Sequence, residues 1–172
     1  DGPHVLDYLT AGIAGGEGFD WFYATDGDRL AGVRTPIADG AHGEDWVWRF
    51  KDIAGWWSHA HHNRVGGVRL AAPTVWVAGS KPVWFTEIGC GAVDKGANQP
   101  NVFPDGKSAE GGRPYFSSGA PDGLVQRQFL RAQLQYWAGS SMVERVSVWT
   151  WDARPFPAFL GDTETWSDAE NH

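Results

Sequence analysis

The sequence predicts an α/β fold assembled on parallel strands, and three observations predict it. Val83-Trp84-Phe85-Thr86-Glu87-Ile88 is a short run of β-formers, apolar on both alternating sets apart from Thr86 and Glu87. That is the pattern of a central strand covered on both faces. Between Asp122 and Trp137, the residues Val125, Phe129, Ala132 and Tyr136, flanked by Leu130, Leu134 and Trp137, describe an amphipathic helix that Gly139 ends. Val146 to Trp151 then reads as a second buried strand, stopped by Arg154-Pro155 and Pro157. Strand, long loop, helix, strand is the order of a parallel α/β unit.

The remaining elements follow from local signals. Val5, Leu6, Leu9 and Ile13 fall at helical spacing, and Gly15-Gly16 supplies a stop. Asp26 caps an expected second helix over residues 29–33, which Thr35-Pro36 terminates. Trp46, Val47, Phe50, Ile53, Ala54 and Trp57 match helical spacing over residues 45–57, whereas strand alternation fails at Asp52. From Gly89 to Gly123, with prolines at 100, 104, 114 and 121, no periodicity holds, and the stretch exceeds the roughly 12 to 15 residues above which loops are usually functional or disordered. This loop leaves the C-terminal end of the first strand, where parallel α/β folds bind ligands. No internal repeat is found, and residues 161–172 form a polar tail.

Composition narrows the function. The chain has 172 residues, 14 Lys+Arg against 21 Asp+Glu, and a net charge of −7, which argues against a polyanion-binding groove and hence against nucleic acid as a partner. Apolar stretches fall far below the roughly 20 residues that cross a bilayer. The single Cys90 makes no intrachain disulfide. The chain begins at Asp1-Gly2-Pro3 without an initiating Met or signal-peptide regions and reads as a piece of something longer. Gly occurs 23 times, about twice the average usage of about 7%, so long glycine-rich connections are expected. Trp occurs 11 times. One Trp is simply a bulky core residue, but as a set they suit stacking on rings that are part apolar and part hydroxylated, as sugars are.

Glu87 is the sharpest chemical candidate, a carboxylate in an apolar strand where the strand gives way to glycine. Burying a charge there costs several kcal/mol unless it is paired or has a task. Two readings stand open: a catalytic carboxylate, or an ion pair with Arg49 or Arg154. Retaining glycosidases need two carboxylates about 5 to 5.5 Å apart, and one such group is visible. His59, His61 and His62, with His42 and Asp52 nearby in sequence, are either a zinc site of no strong motif or a solvated helix end. Cys90 is a nucleophilic thiol or, more simply, a small buried residue. Asp152 and Arg154 either orient Glu87 and bind substrate hydroxyls or merely close the barrel end. Asp94, Lys95, Asn98 and Asn101 bind sugar hydroxyls or face water.

Four segments carry a family resemblance. They are residues 45–52 (Asp-Trp-Val-Trp-Arg-Phe-Lys-Asp), 84–90 (Trp-Phe-Thr-Glu-Ile-Gly-Cys), 94–103 (Asp-Lys-Gly-Ala-Asn-Gln-Pro-Asn-Val-Phe) and 149–155 (Trp-Thr-Trp-Asp-Ala-Arg-Pro). The second of them, preceded by Lys81-Pro82-Val83, resembles the seventh strand of (β/α)8 glycoside hydrolases of the large retaining clan. Together the four resemble the TIM-barrel-like domain of gene transfer agent and phage-tail proteins, of the host specificity or baseplate kind. The resemblance implies the C-terminal portion of a (β/α)8 TIM barrel of glycoside-hydrolase type with a long βα loop, over residues 1–160, followed by the tail at 161–172. It implies Glu87 as nucleophile, Trp151 or Trp149 stacking on the sugar, and Asp152, Arg154, Asn98 and Trp48 as substrate-binding residues. The acid/base carboxylate belongs to the fourth strand and is not in this chain. No cofactor and no metal are implied.

The implied partners are a polysaccharide or cell-surface glycan, the remainder of the same barrel, and other tail or baseplate proteins. The implied location is the tail or baseplate of a virion-like particle made in the bacterial cytoplasm. A tail module that keeps the barrel for carbohydrate binding, receptor binding or structure without turnover is the alternative. A complete barrel has eight strands in about 250 residues, and only the last two are recognisable here. Two parallel strands leave unpaired edges, so the chain is expected to fold beside the rest of its barrel or in an assembly that closes the gap.

Overall fold

The computed structural model describes residues 2–14, 20–103, 109, 111–149 and 157–164. In order, the elements are α1 (Leu6–Ala14), β1 (Trp21–Phe22), α2 (Asp26–Ala31), β2 (Thr35–Pro36), a 3-10 turn (Asp45–Val47), α3 (Ile53–Ser58), β3 (His62–Val65), β4 (Val68–Pro73), β5 (Val83–Ile88), a 3-10 turn (Gly96–Asn98), α4 (Gly123–Ala138), β6 (Val143–Val148) and a 3-10 turn (Ala158–Gly161). Among the described residues the strands form three two-stranded sheets, β1–β2, β3–β4 and β5–β6, and not a closed barrel. The residues group into two compact units, one of residues 1–10, 84–139 and 145 onward, the other of residues 11–83 and 140–144.

The first unit is built on α4 and on β5 and β6 from Trp84 and Arg145 onward. Val83 N donates to Met142 O (2.9 Å) where the strands begin, and Trp149 N donates to Ile88 O (2.8 Å) where they end, so the two strands run parallel. The expected β5 boundaries hold. β6 spans Val143–Val148 and so begins three residues before the expected Val146, while residues 150 and 151 of the expected strand lie outside the described residues. Asp122 caps α4 by accepting from Leu124 N and Val125 N (both 3.1 Å), which satisfies donors that the first helical turn leaves open. Val125, Ala132 and Trp137 are buried along α4, and Trp137 packs on Phe85 of β5 with ring centroids 5.0 Å apart. The expectation that β5 is covered on both faces fails. Trp84, Thr86 and Glu87 are exposed and Val83, Phe85 and Ile88 half-buried, as befits a two-stranded sheet with a single helix against it.

The long connection from Gly89 to Gly123 has more structure than its sequence predicts. Asp94 N donates to Ala120 O (2.8 Å) and Asp122 N to Ala92 O (2.7 Å), while Val93 and Pro121 form a bridge, so the two ends of the loop zip together. Val93 and Cys90 are fully buried beneath this seam, and Gln126 of α4 donates to Cys90 O (2.9 Å).

In the second unit the expected continuous helix over residues 45–57 is broken. A 3-10 turn covers Asp45–Val47, and α3 starts only at Ile53, because the Asp52 carboxylate accepts from Gly55 N (2.8 Å) and starts a new helix there. α2 spans Asp26–Ala31; its cap is Thr25, whose hydroxyl accepts from Asp28 N (3.1 Å), and not the expected Asp26. Gly32 closes it in the left-handed conformation (φ 70°), which glycine adopts without steric cost. Antiparallel β3 and β4 are joined by Gly66-Gly67, both at positive φ, in a hairpin with Val65 opposite Val68 and Arg64 opposite Arg69.

Candidate functional site

The C-terminal ends of β5 and β6 bring two of the sequence candidates to one place. Glu87 is the penultimate residue of β5, and Trp149 follows β6, its N–H bonded to Ile88, the next residue after Glu87. Burial alternation along β5 breaks after Thr86, leaving the Glu87 carboxylate exposed with Trp84 and Thr86. Among the described residues no hydrogen bond or ion pair engages that carboxylate. The Trp149 ring is half exposed (52%), so an acceptor group and a flat apolar face stand at neighbouring strand ends.

Gly89 makes this arrangement possible. A Cβ added there would fall within 3.0 Å of the Trp149 carbonyl oxygen, so only a residue without a side chain lets the two strand ends approach. A Cβ on Gly96 would meet the Gly91 carbonyl in the same way, which explains two of the glycines around this turn. Below the exposed groups, Arg145 of β6 lies over the Trp84 ring of β5, with its guanidinium carbon 4.4 Å from the centroid.

The polar residues of the long loop are spent largely on the loop. Asp94 accepts from the backbone N–H groups of Ser118, Gly119 and Ala120 and from the hydroxyls of Ser117 and Ser118. The Ser118 N–H first, then the two hydroxyls and Gly119 N–H, hold the Asp94 carboxyl well below the usual carboxylate range, against a partial desolvation that acts the other way. Lys95 Nζ donates to Phe116 O (2.6 Å), and Asn98 Nδ2 donates to Tyr115 O (2.8 Å). Three neighbouring side chains thus latch residues 115–120. Asn98 is exposed, with its amide nitrogen committed to this latch. The sequence signal was the cluster Ser117-Ser118-Gly119, whose hydroxyls and free backbone N–H groups are ready partners for a carboxylate.

Cys90 is buried, and desolvation pushes its thiol up to about 12, with the charge of Asp122 adding to the shift. The thiolate population at neutral pH is negligible, so the nucleophilic reading of Cys90 falls and the small buried residue stands.

Trp48 lies in the second unit, half exposed, with Arg64 over its ring at 5.5 Å. Arg49, weighed above as a partner for Glu87, pairs instead with Asp20 (3.1 Å), Asp45 (3.7 Å) and Asp52 (3.9 Å). Trp151, Asp152 and Arg154 lie outside the described residues.

Two of the histidines serve the end of α3 and the third the β3–β4 hairpin. His59 Nδ1 bonds Gly55 O (2.7 Å), His61 Nε2 bonds Trp56 O (2.7 Å), and His62 Nδ1 bonds Leu70 O (2.9 Å). Each of these ring nitrogens donates to a carbonyl, and the first two satisfy last-turn carbonyls that a helix leaves without partners. His59 stacks on Trp46 (5.3 Å) and His61 on Trp76 (5.2 Å). Among the described residues no three His, Cys, Asp or Glu side chains gather as metal ligands. Nor is any helix there long and apolar enough to cross a membrane.

Among known protein families, the GTA TIM-barrel-like domain has a family model that matches residues 2–160. No curated protein matches the chain.

Proposed function

The chain belongs to the GTA TIM-barrel-like domain family, that of gene transfer agents, and on that premise we propose that it supplies the C-terminal part of a glycoside-hydrolase-type barrel, with Glu87 as the nucleophile. One observation carries the reading: an exposed carboxylate, unpaired among the described residues, at the C-terminal end of one of two parallel strands, with an exposed indole at the same end of the other. The C-terminal strand ends are where such barrels place their chemistry. In the retaining mechanism the Glu87 carboxylate attacks the anomeric carbon and forms a glycosyl ester. A carboxylic acid from the remainder of the barrel protonates the departing oxygen and then deprotonates the water that releases the sugar. Trp149 and Trp151 are assigned to hold the ring by stacking, and Asp152, Arg154 and Asn98 to bind its hydroxyls. Trp48, exposed in the second unit, offers that unit a sugar-stacking face of its own. The substrate is a cell-envelope polysaccharide, and the domain works in the tail or baseplate of the particle beside other tail proteins.

The test uses the full-length protein that contains this chain, incubated with purified cell-envelope polysaccharide and followed by the release of reducing ends. Glu87→Gln should lower turnover by about a thousandfold or more and leave polysaccharide affinity within about twofold. Hydrolysis at the wild-type rate in Glu87→Gln overturns the assignment. Binding that depends on Trp149, with no hydrolysis by the wild-type protein, replaces it with a glycan-gripping module.

A further inference from the structure

The second unit contains a cavity that the strand-end chemistry leaves unexplained. It has a volume of about 450 Å³ and opens between the 3-10 turn at Asp45–Val47, α3 and β3. That volume falls in the range of about 300 to 1,000 Å³ typical of small-molecule sites. Trp46, Phe50 and Trp56 give it aromatic walls, and Arg49, Asp52, Arg64 and the rings of His61 and His62 give it polar ones. The walls are braced by neighbouring rings and by one another. Trp56 packs on Trp76 at 5.0 Å and on His61 at 4.6 Å, and Trp46 is stacked by His59, so these rings are held before any ligand arrives. Bracing of this kind lowers the ordering cost of binding.

The charges around the cavity decide what fits. Arg49 is paired with Asp20, Asp45 and Asp52, while Glu44 takes both Arg64 (2.6 Å) and Arg69 (2.7 Å), with Asp39 3.7 Å from Arg64. Among the described residues the guanidinium groups at the cavity are already shared with carboxylates, Arg49 with three and Arg64 with two, which disfavours a phosphate or a uronic acid. Two guanidinium groups and one carboxylate, Asp52, line the cavity itself, and Lys51 lies 5.8 Å over the Phe50 ring, so the positive charge at the walls disfavours a cation there. A neutral ligand remains. The hydrogen-bonding groups suit hydroxyls: a guanidinium carries five donors, more than Glu44 uses on Arg64. His61, whose Nε2 bonds Trp56 O, keeps Nδ1 as an acceptor in the neutral ring.

We propose that this cavity is a binding site for an uncharged saccharide ring, stacked on the indoles of Trp46 and Trp56 and on Phe50, and hydrogen-bonded by Arg64 and His61. It is a binding site without turnover and does not depend on Glu87. It also gives a task to a group of tryptophans that the strand ends do not use.

The experiment titrates the full-length protein with maltotetraose and chitotetraose as neutral probes, tetragalacturonate as the anionic one and choline as the cationic one, by calorimetry and tryptophan fluorescence. At least one neutral tetrasaccharide should bind. Phe50 is 74% exposed, so Phe50→Ala keeps the fold, checked by an unchanged near-ultraviolet dichroism spectrum, and should weaken that binding about three- to tenfold. Trp56→Phe, which keeps an aromatic ring of smaller area, should weaken it less than Phe50→Ala. Glu87→Gln should leave it within twofold, which separates this site from the strand-end reading whether or not that reading survives its own test. Absence of any neutral binding that responds to Phe50→Ala overturns the proposal. So does tighter Phe50-dependent binding of tetragalacturonate or choline, or loss of the neutral binding in Glu87→Gln.

Discussion

Gly89→Ala is the most exacting test of how the two strand ends are joined. The backbone of Gly89 lies outside the left-handed region, so alanine meets no conformational obstacle and the whole effect is steric. The new Cβ would fall within 3.0 Å of the Trp149 carbonyl oxygen, with the carbonyl carbon at 3.4 Å, and both belong to main chain that cannot rotate aside. Relief requires the strand ends to separate by on the order of 1 Å, which disrupts the bond from Trp149 N to Ile88 O at 2.8 Å. The lost bond costs about 1 kcal/mol and the strain of an overfilled contact about 1 to 3 kcal/mol more. The expected local destabilisation is therefore about 2 to 4 kcal/mol. Amide hydrogen exchange in the full-length protein reads it directly, because the Trp149 N–H should lose most of its protection while the amides of α4 keep theirs. Displacing the Trp149 ring relative to Glu87 by about 1 Å should also lower any turnover by about a hundredfold. Wild-type protection at Trp149 in the alanine variant would refute the close approach on which this reasoning depends.

Two further outcomes follow from the ion pairs and the loop. Glu44 is held down to about 2 by its hydrogen bonds with Arg69 and Arg64, acting against desolvation. Its folded value lies below its unfolded one, so the stabilisation is complete above about pH 4.5 and fades as the pH falls toward 2. Glu44→Gln should flatten that part of the pH–stability profile and cost about 1 to 3 kcal/mol at neutral pH, read by urea unfolding; an unchanged acid limb would show that the pair contributes nothing. The Asp94 carboxyl is likewise depressed, so the order of residues 117–120 should persist above the unfolded pKa near 4 and decline as the pH drops through the folded value. Asp94→Asn should remove most of the exchange protection at Ser118, Gly119 and Ala120 at neutral pH, and retained protection would mean that the loop is ordered without it.

The parallel pair and its helix were legible because their signals are intrinsic to the residues involved. Val83–Ile88 is rich in β-formers between a Pro and a Gly, and residues 123–138 carry a helical stripe closed by Asp122 and Gly139. The broken helix near Asp52 was not legible, because a single carboxylate turning back to Gly55 N overrides a spacing that fits both a long helix and two short turns. The β3–β4 hairpin went unread although it carries its own signal, Gly66-Gly67 between Arg64-Val65 and Val68-Arg69. Period alone does not expose it, because β3 alternates between partly buried and exposed while β4 is exposed except at Arg69, and neither has a strong apolar face.

The same contrast separates the residues that hold the loop from those that remain available for chemistry. Asp94, Lys95, Asn98 and Asn101 look alike in the sequence as polar loop residues. In the structure, the first three each spend a side-chain group on residues 115–120, a distribution that depends on contacts some twenty residues away. Glu87 shows the opposite: it is a carboxylate beside apolar neighbours that neither Arg49 nor any other described side chain engages. A carboxylate tied into a hydrogen-bond network lowers the energy of the fold and is thereby a weaker nucleophile, since its lone pairs are already shared. An exposed carboxylate at a strand end adds little to stability and keeps those lone pairs for a ligand. If Glu87 has a task it is therefore chemical, and replacing it with Gln should leave the unfolding midpoint unchanged while altering what happens to bound sugar. Asp94→Asn should do the reverse, loosening the loop and affecting sugar only through the residues that the loop carries.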